Sequence, residues 1–236
     1  MAEKKVFSIY RFDPDKDKNP YYKEYAVDVE EGMTVLEALI KIIEKQDASL
    51  SLRFSCRMAV CGSCGVTIND SPRLACKTPV SSLKGKVIKI EPLPGMPVIK
   101  DLVVDLEPFF DNLKKVKPYL ITKSPDPAKE RLQTPEEREI ISESADCILC
   151  GCCTTSCPVF WEDNGYLGPA AINKAFRFLF DSRDEGYEDR LSALGGIGGV
   201  SRCHHAYRCV VACPKGINTT YSIDMVKKLI VTGKKD

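Results

Sequence analysis

Apolar positions recur along this chain with two different periods, and the change of period marks its organisation. Residues 5–12 and 22–29 are partly alternating segments rich in Val, Ile, Phe and Tyr, separated by a polar stretch from Asp13 to Pro20, and they predict a hairpin. Thr34 then offers an N-cap with Glu37 three residues on. Val35, Leu36, Leu39, Ile40 and Ile43 follow as one apolar stripe at helical spacing. Short strands are predicted at Val66–Ile68 and Lys86–Ile90, with a turn at Asn69-Asp70 between the two halves.

Strand, strand, helix, loop and strand make a small α+β sheet of the β-grasp kind. The run from Pro92 to Pro97 is too rich in proline to continue a central strand, so a first domain is expected over residues 1–97. Residues 98–116 alternate apolar and charged positions and read as a connecting helix within a linker reaching residue 134. At Thr134-Pro135-Glu136-Glu137 an N-cap, a first-turn proline and a glutamate at the third helical position coincide, and a second, helical domain is expected over 135–236. Further helices are predicted after Gly168-Pro169 and from about Thr220 to Val231.

Composition narrows the function. Lys and Arg number 34 against 33 Asp and Glu, a net charge of +1 with the signs interspersed, so there is no broad basic surface and nucleic acid is not an expected partner. Met1 is followed by Ala-Glu-Lys-Lys with no apolar signal region, and the 12 cysteines are therefore read as metal ligands in a reducing compartment rather than as disulfides. Charges such as Asp105 and Lys114 interrupt every apolar run before it could span a membrane. Gly195-Gly196-Ile197-Gly198-Gly199 lacks the Gly-Lys-Ser/Thr ending and the preceding strand of a phosphate cradle, and reads as a flexible loop.

The cysteines fall into three groups. Cys56-x4-Cys61-x2-Cys64, followed after eleven residues by Cys76, has the plant-type spacing for a 2Fe-2S cluster, with small residues that let backbone N–H groups approach sulfur. Cys147, Cys150, Cys153 and Cys157-Pro158 give C-x2-C-x2-C-x3-C-P, the bacterial-type spacing for a cubane. Cys203-x5-Cys209-x3-Cys213-Pro214 echoes it with Ala206 where a second thiolate would stand.

In two-cluster ferredoxins the fourth cysteine of each run serves the other run's cluster. Applied here, that rule assigns Cys147, Cys150, Cys153 and Cys213 to a 4Fe-4S cluster and leaves Cys157, Cys203 and Cys209 with no fourth ligand. Three thiolates suit a 3Fe-4S cluster, with a water-ligated four-iron cluster as the alternative. Cys152 lies outside the register and reads as a buried small residue.

A plant-type two-iron domain followed by a helical domain with one complete and one incomplete cubane motif resembles the iron-sulfur subunit of the succinate dehydrogenase and fumarate reductase family. Ser55-Cys56-Arg57, Cys61-Gly62-Ser63-Cys64, Pro92-Leu93-Pro94-Gly95, Gly168-Pro169-Ala170, Asp181-Ser182-Arg183-Asp184, Arg202-Cys203-His204 and Cys213-Pro214-Lys215-Gly216 carry the resemblance across nearly the whole chain. It implies an electron relay of the tricarboxylic acid cycle, not catalytic on the dicarboxylate by itself. The relay would join the FAD of a flavoprotein subunit to a quinone at a membrane-anchor subunit, with or without haem, on the cytoplasmic face of a bacterial inner membrane. The 2Fe-2S cluster would face the flavin and the 3Fe-4S cluster the quinone.

The same resemblance puts Pro158, Trp161 and His204 in quinone-proximal positions. Trp161 reads equally as a core or interface aromatic, and His204 equally as a hydrogen bond to backbone or cluster surroundings. Glu162 stands where many ubiquinone-reducing relatives carry a second tryptophan, which leaves menaquinone open. A quinol:fumarate reductase running in reverse, or a related module of a non-quinone flavoprotein oxidoreductase, would use the same cysteines. A zinc-stabilised structural protein is the rival from another class. Metal and sulfide analysis separates them: the cluster reading expects brown protein with iron and acid-labile sulfide, and colourless protein with stoichiometric zinc would refute it.

Overall fold

The computed structural model describes residues 3–163 and 165–235. Its N-terminal part runs β1 (Glu3–Arg11), β2 (Tyr21–Val29), α1 (Val35–Lys45), β3 (Gly65–Ile68), β4 (Ser71–Leu74), β5 (Val87–Glu91), β6 (Val98–Lys100) and β7 (Val103–Val104). The helices α2 (Glu107–Lys115), α3 (Pro135–Ala145), α4 (Cys152–Thr155), α5 (Pro158–Glu162), α6 (Pro169–Leu179), α7 (Tyr187–Gly195), α8 (Arg208–Ala212) and α9 (Thr219–Thr232) follow. The fold is mixed α+β. Two compact units divide the chain, Met1–Leu106 with Ile148–Ser156, and Glu107–Cys147 with Cys157–Asp236.

The first unit is built on a five-stranded sheet in the order β2-β1-β5-β3-β4. β1 pairs antiparallel with β2 and parallel with β5, so the chain must cross over between β1 and β5, and α1 and the first cysteine loop lie on that excursion. Thr34 and Glu37 form both halves of the expected capping box, and Val35, Leu36, Leu39 and Ile42 are buried. Alternation on β1 buries Phe7 and Ile9, and the same face continues into two charged residues, Lys5 and Arg11. β4 was not foreseen: Ser71-Pro72-Arg73-Leu74 carries a proline, which an edge strand tolerates because one side of it needs no ladder. Asn69 and Asp70, both with positive φ, form the tight turn joining β3 to β4.

The connecting helix expected over 98–116 begins only at Glu107. Residues 98–104 form the β6–β7 hairpin instead, because Val98, Ile99, Val103 and Val104 are β-branched and Asp101 turns the chain with φ 47°. Asp101 is almost fully buried. One of its carboxylate oxygens accepts from Arg11 Nε at 2.9 Å and from the Phe12 amide at 3.0 Å, and the other accepts from the Ser51 amide at 2.9 Å. Arg11 also donates to Asp47 at 2.8 Å and to Ser49 at 2.9 Å. Burial works against its charge, but the hydrogen bonds to Asp101 and Asp47 outweigh this and hold the guanidinium firmly protonated.

The second unit packs α6 against α9 and α3. Alanines 170, 171 and 175 on α6 keep that helix face thin, and Ile223, Val226 and Leu229 of α9 are buried. Thr134 and Glu137 again complete a capping box on α3. The segment before α3 is fastened to the α6–α7 connection. Arg190, fully buried, donates to both oxygens of Asp184 and to the carbonyls of Val116, Lys117 and Tyr119, while Asp184 accepts from the Ile121 amide.

In the glycine run before the echo motif, Gly198 and Gly199 are closely packed, whereas Gly195 meets open space and Ile197 is exposed. A Cβ on Gly198 would lie 1.9 Å from the Gly165 carbonyl oxygen, and one on Gly199 equally close to that of Leu194, so bare backbone is what lets these strands of chain touch. Among the described residues no helix is long and apolar enough to cross a membrane.

Replacing Asp101 by Ala leaves Arg11 buried without its principal partner. The expected cost is about 3–5 kcal/mol, read as a lower urea midpoint for loss of the sheet's circular dichroism.

Candidate iron-sulfur sites

The first cysteine loop follows α1 and runs into β3. Its backbone turns left-handed at Arg57 (φ 60°), Ala59 (φ 56°) and Gly62 (φ 74°), and these turns aim successive amides at sulfur. The amides of Met58, Val60 and Cys61 donate to Cys56 Sγ at 3.4, 3.4 and 3.2 Å, and that of Ala59 donates to Cys76 Sγ at 3.3 Å. Cys76 sits beyond β4, and the Ala75 amide bonds the Cys64 carbonyl at 3.0 Å. The four predicted thiols of this site therefore gather round one loop.

Their environments differ. The Ser63 hydroxyl, 3.1 Å from Cys61 Sγ, and nearby backbone amides lower the Cys61 thiol to about 6. Burial pushes the Cys64 thiol up to about 12, with the Cys76 and Cys61 thiols adding to it. A loop that stabilises thiolate charge with directed N–H and O–H donors suits an iron-sulfur group.

Ile148–Ser156 belongs to the same unit as this loop. Gly62 explains how closely they meet: a Cβ there would stand 2.9 Å from the Ile148 carbonyl oxygen and 3.0 Å from Cys150 Cα. Cys152 and Cys153 are buried at the start of α4. The Cys150 thiol is lowered, first by its hydrogen bond with the Cys152 thiol, and Cys152 is correspondingly pushed well up. Cys152 is thus held as a neutral, fully buried thiol, as its position outside the register suggests.

In the second unit, Cys157, Cys203 and Cys209 line one small cavity. Ala206, the position of the missing thiolate, lines it too, with Pro158 and His204. Burial raises the Cys157 thiol; the amides of Phe160 and Val159 oppose this, and the Cys209 and Cys203 thiols add to the rise. Trp161 lies outside the lining, exposed on α5 with the Arg208 guanidinium 5.7 Å from its ring centroid. Cys213 is not among the lining residues; its Sγ accepts from the Ile217 amide at 3.4 Å.

Backbone geometry shows that the echo is a true copy. Leu149 (φ 55°) and Gly151 (φ 78°) flank Cys150, and His205 (φ 56°) and Tyr207 (φ 56°) flank Ala206 at the same two positions after the leading cysteine. Among the described residues no three His, Cys, Asp or Glu groups are drawn up tightly enough for a single metal ion, so the fit to a polynuclear group rests on these loops and their donors. Residue types alone did not single out Thr220, Asp224 and Lys227, which face the echo from α9; their helical spacing was the available signal.

Residues 6–111 match the family model of a 2Fe-2S iron-sulfur cluster binding domain, and residues 143–217 that of a 4Fe-4S dicluster domain. The chain is 46% identical over 233 residues to the mitochondrial succinate dehydrogenase [ubiquinone] iron-sulfur subunit 1 of Oryza sativa subsp. japonica, covering 97% of this chain and 83% of that one. It is 44% identical over 227 residues to the succinate dehydrogenase iron-sulfur subunit of Paracoccus denitrificans, covering 95% and 87%. Among solved structures, a chain of the Mycobacterium smegmatis Sdh1 complex in the apo form superposes with a TM-score of 0.86 at 25% identity, covering 100% of this chain and 99% of that one.

Ser63→Ala removes the hydroxyl donor from Cys61 Sγ. Loss of a hydrogen bond to sulfur disfavours the reduced, more negative cluster, so the expected outcome is a lower midpoint potential in a redox titration of the two-iron EPR signal.

Proposed function

Because the chain belongs to the family of succinate dehydrogenase iron-sulfur subunits, we propose that it relays electrons between the flavin of a flavoprotein subunit and a quinone at a membrane anchor. Cys56, Cys61, Cys64 and Cys76 hold a 2Fe-2S cluster, and Cys147, Cys150, Cys153 and Cys213 hold a 4Fe-4S cluster by the spacing rule. Cys157, Cys203 and Cys209 hold a 3Fe-4S cluster. The observation that carries this reading is the cavity with three thiols and an alanine at the second position of a backbone turn that otherwise repeats the one around Cys150.

When bound, these groups supply one-electron transfer, which no side chain of the cavity or loops provides. The chain's own contribution is to orient thiolates, donate hydrogen bonds to them and exclude water. Directed amides at Cys56 and Cys76 and the Ser63 hydroxyl at Cys61 favour added negative charge at the first site. At the terminal site burial raises the Cys157 thiol, and the amides of Phe160 and Val159 oppose that rise.

Exposed apolar residues suggest where the partners attach. Met58 and Val60 project from the first loop, 71% and 56% exposed, and supply the face for the flavoprotein subunit. Tyr207 and Val211 stand exposed beside the terminal cavity, with Trp161 on the neighbouring helix, and these supply the face for the anchor. Pro158 and His204, at the cavity, are the residues placed to meet a quinone, with Trp161 at its margin. The subunit would then lie peripherally on the cytoplasmic face of the membrane.

The terminal site gives the direct test. Ala206→Cys supplies the absent thiolate, and the oxidised complex should lose its three-iron EPR signal, with an additional four-iron signal appearing only on reduction. Retention of the three-iron signal at full strength would overturn the assignment.

A further inference from the structure

The echo loop has to hold a bend without the ligand that its counterpart has. Left-handed backbone is costly for a residue with a Cβ and persists where the surroundings enforce it. In the first motif the two left-handed residues, Leu149 and Gly151, stand on either side of a thiol, and one of them is glycine. In the echo they are His205 and Tyr207, neither of them glycine, on either side of Ala206, whose methyl group can coordinate nothing.

Support comes from one face of α9. Nε2 of His205 lies 2.6 Å from Oδ1 of Asp224. One turn earlier, Thr220 Oγ1 is 3.6 Å from Cys209 Sγ, and one turn later Lys227 Nζ donates to the Cys203 carbonyl at 3.1 Å. Positions 220, 224 and 227 share a helix face, and Ile223 and Val226 beside them are buried, so the face is anchored in the core. Thr220 and Lys227 grip the two ends of the loop at its cysteines. Asp224 grips its middle, next to the residue that has no ligand.

We infer that Asp224 is a positioning residue for the three-thiol site: through His205 it holds the bend around Ala206 that a fourth thiolate would otherwise hold. It thereby keeps Cys203 and Cys209 in register with Cys157. This rests on the reading of the cavity as the three-iron site. Asp224 touches no reacting atom, and the half-exposed pair it makes with His205 contributes little to global stability. Its removal should therefore act at this site and leave the two-iron site as it is.

The test compares the intact complex with Asp224→Ala, Asp224→Asn, His205→Gly and the Asp224→Ala/His205→Gly pair. It follows the oxidised three-iron EPR signal in air with a chelator present and uses the two-iron signal of dithionite-reduced aliquots as the measure of folding. Asp224→Ala should lose the three-iron signal about tenfold faster at an unchanged two-iron signal. Asp224→Asn, whose amide oxygen still accepts from His205, should stay closer to the parent. His205→Gly should restore durability to Asp224→Ala, because glycine takes the left-handed turn unaided. Parental decay in Asp224→Ala, or no rescue by His205→Gly, overturns the inference. An unsubstituted complex without a three-iron signal overturns instead the reading beneath it, and is seen before any variant is compared.

Discussion

Thiols a few residues apart in sequence must face a common interior, and that constraint shapes every part of this protein that carries chemistry. An extended chain would throw them to opposite sides, and a regular helix would spread them along one face. The loops meet the requirement with left-handed turns at Arg57, Ala59 and Gly62, at Leu149 and Gly151, and at His205 and Tyr207. Most of these residues are not glycine, so each turn stores strain that something else must offset. In the first loop amides directed at Cys56 and Cys76 do so, along with close packing of Gly62 on Ile148–Cys150.

The scaffold around the loops is held by a small number of buried charges placed at chain crossings. Arg11 and Asp101 join the end of β1 to the β6–β7 hairpin and to the segment leading into the first cysteine loop. Arg190 and Asp184 fasten the segment after α2 to the start of α7. In both cases the guanidinium is close to fully buried and its donors end on carboxylate and neighbouring acceptors, the condition under which a buried ion pair offsets its desolvation. Asp181, beside Asp184 in sequence and likewise buried, accepts from Arg177, Arg183 and Gln133. The Asp181-Ser182-Arg183-Asp184 stretch is therefore a structural clasp, remote in role from electron transfer.

These supports bear on function through rigidity. One-electron transfer needs donors and acceptors that do not rearrange between redox states, and a loop held by fixed amides or by a core helix changes little when charge is added. The two end sites differ in how they treat that charge. The first is rich in directed donors and lies beside exposed Met58 and Val60, whereas the terminal one has an alanine where a thiolate would stand and an exposed aromatic surround.

Much of this was legible in the chain itself, because cysteine spacing, capping boxes and apolar periodicity are local codes. C-x4-C-x2-C, the doubled cubane register with Ala206, and the Thr34 and Thr134 caps each specify chemistry within a dozen residues. What remained hidden depends on contacts between distant segments. β4 forms in spite of Pro72 because an edge is open to it, and residues 98–104 become a hairpin because Asp101 finds Arg11. Gly198 and Gly199 pack tightly because other backbone meets them there. Only the tertiary structure decided that Asp224 would stand behind His205, for helical spacing gives a face to α9 but does not say which loop that face will meet.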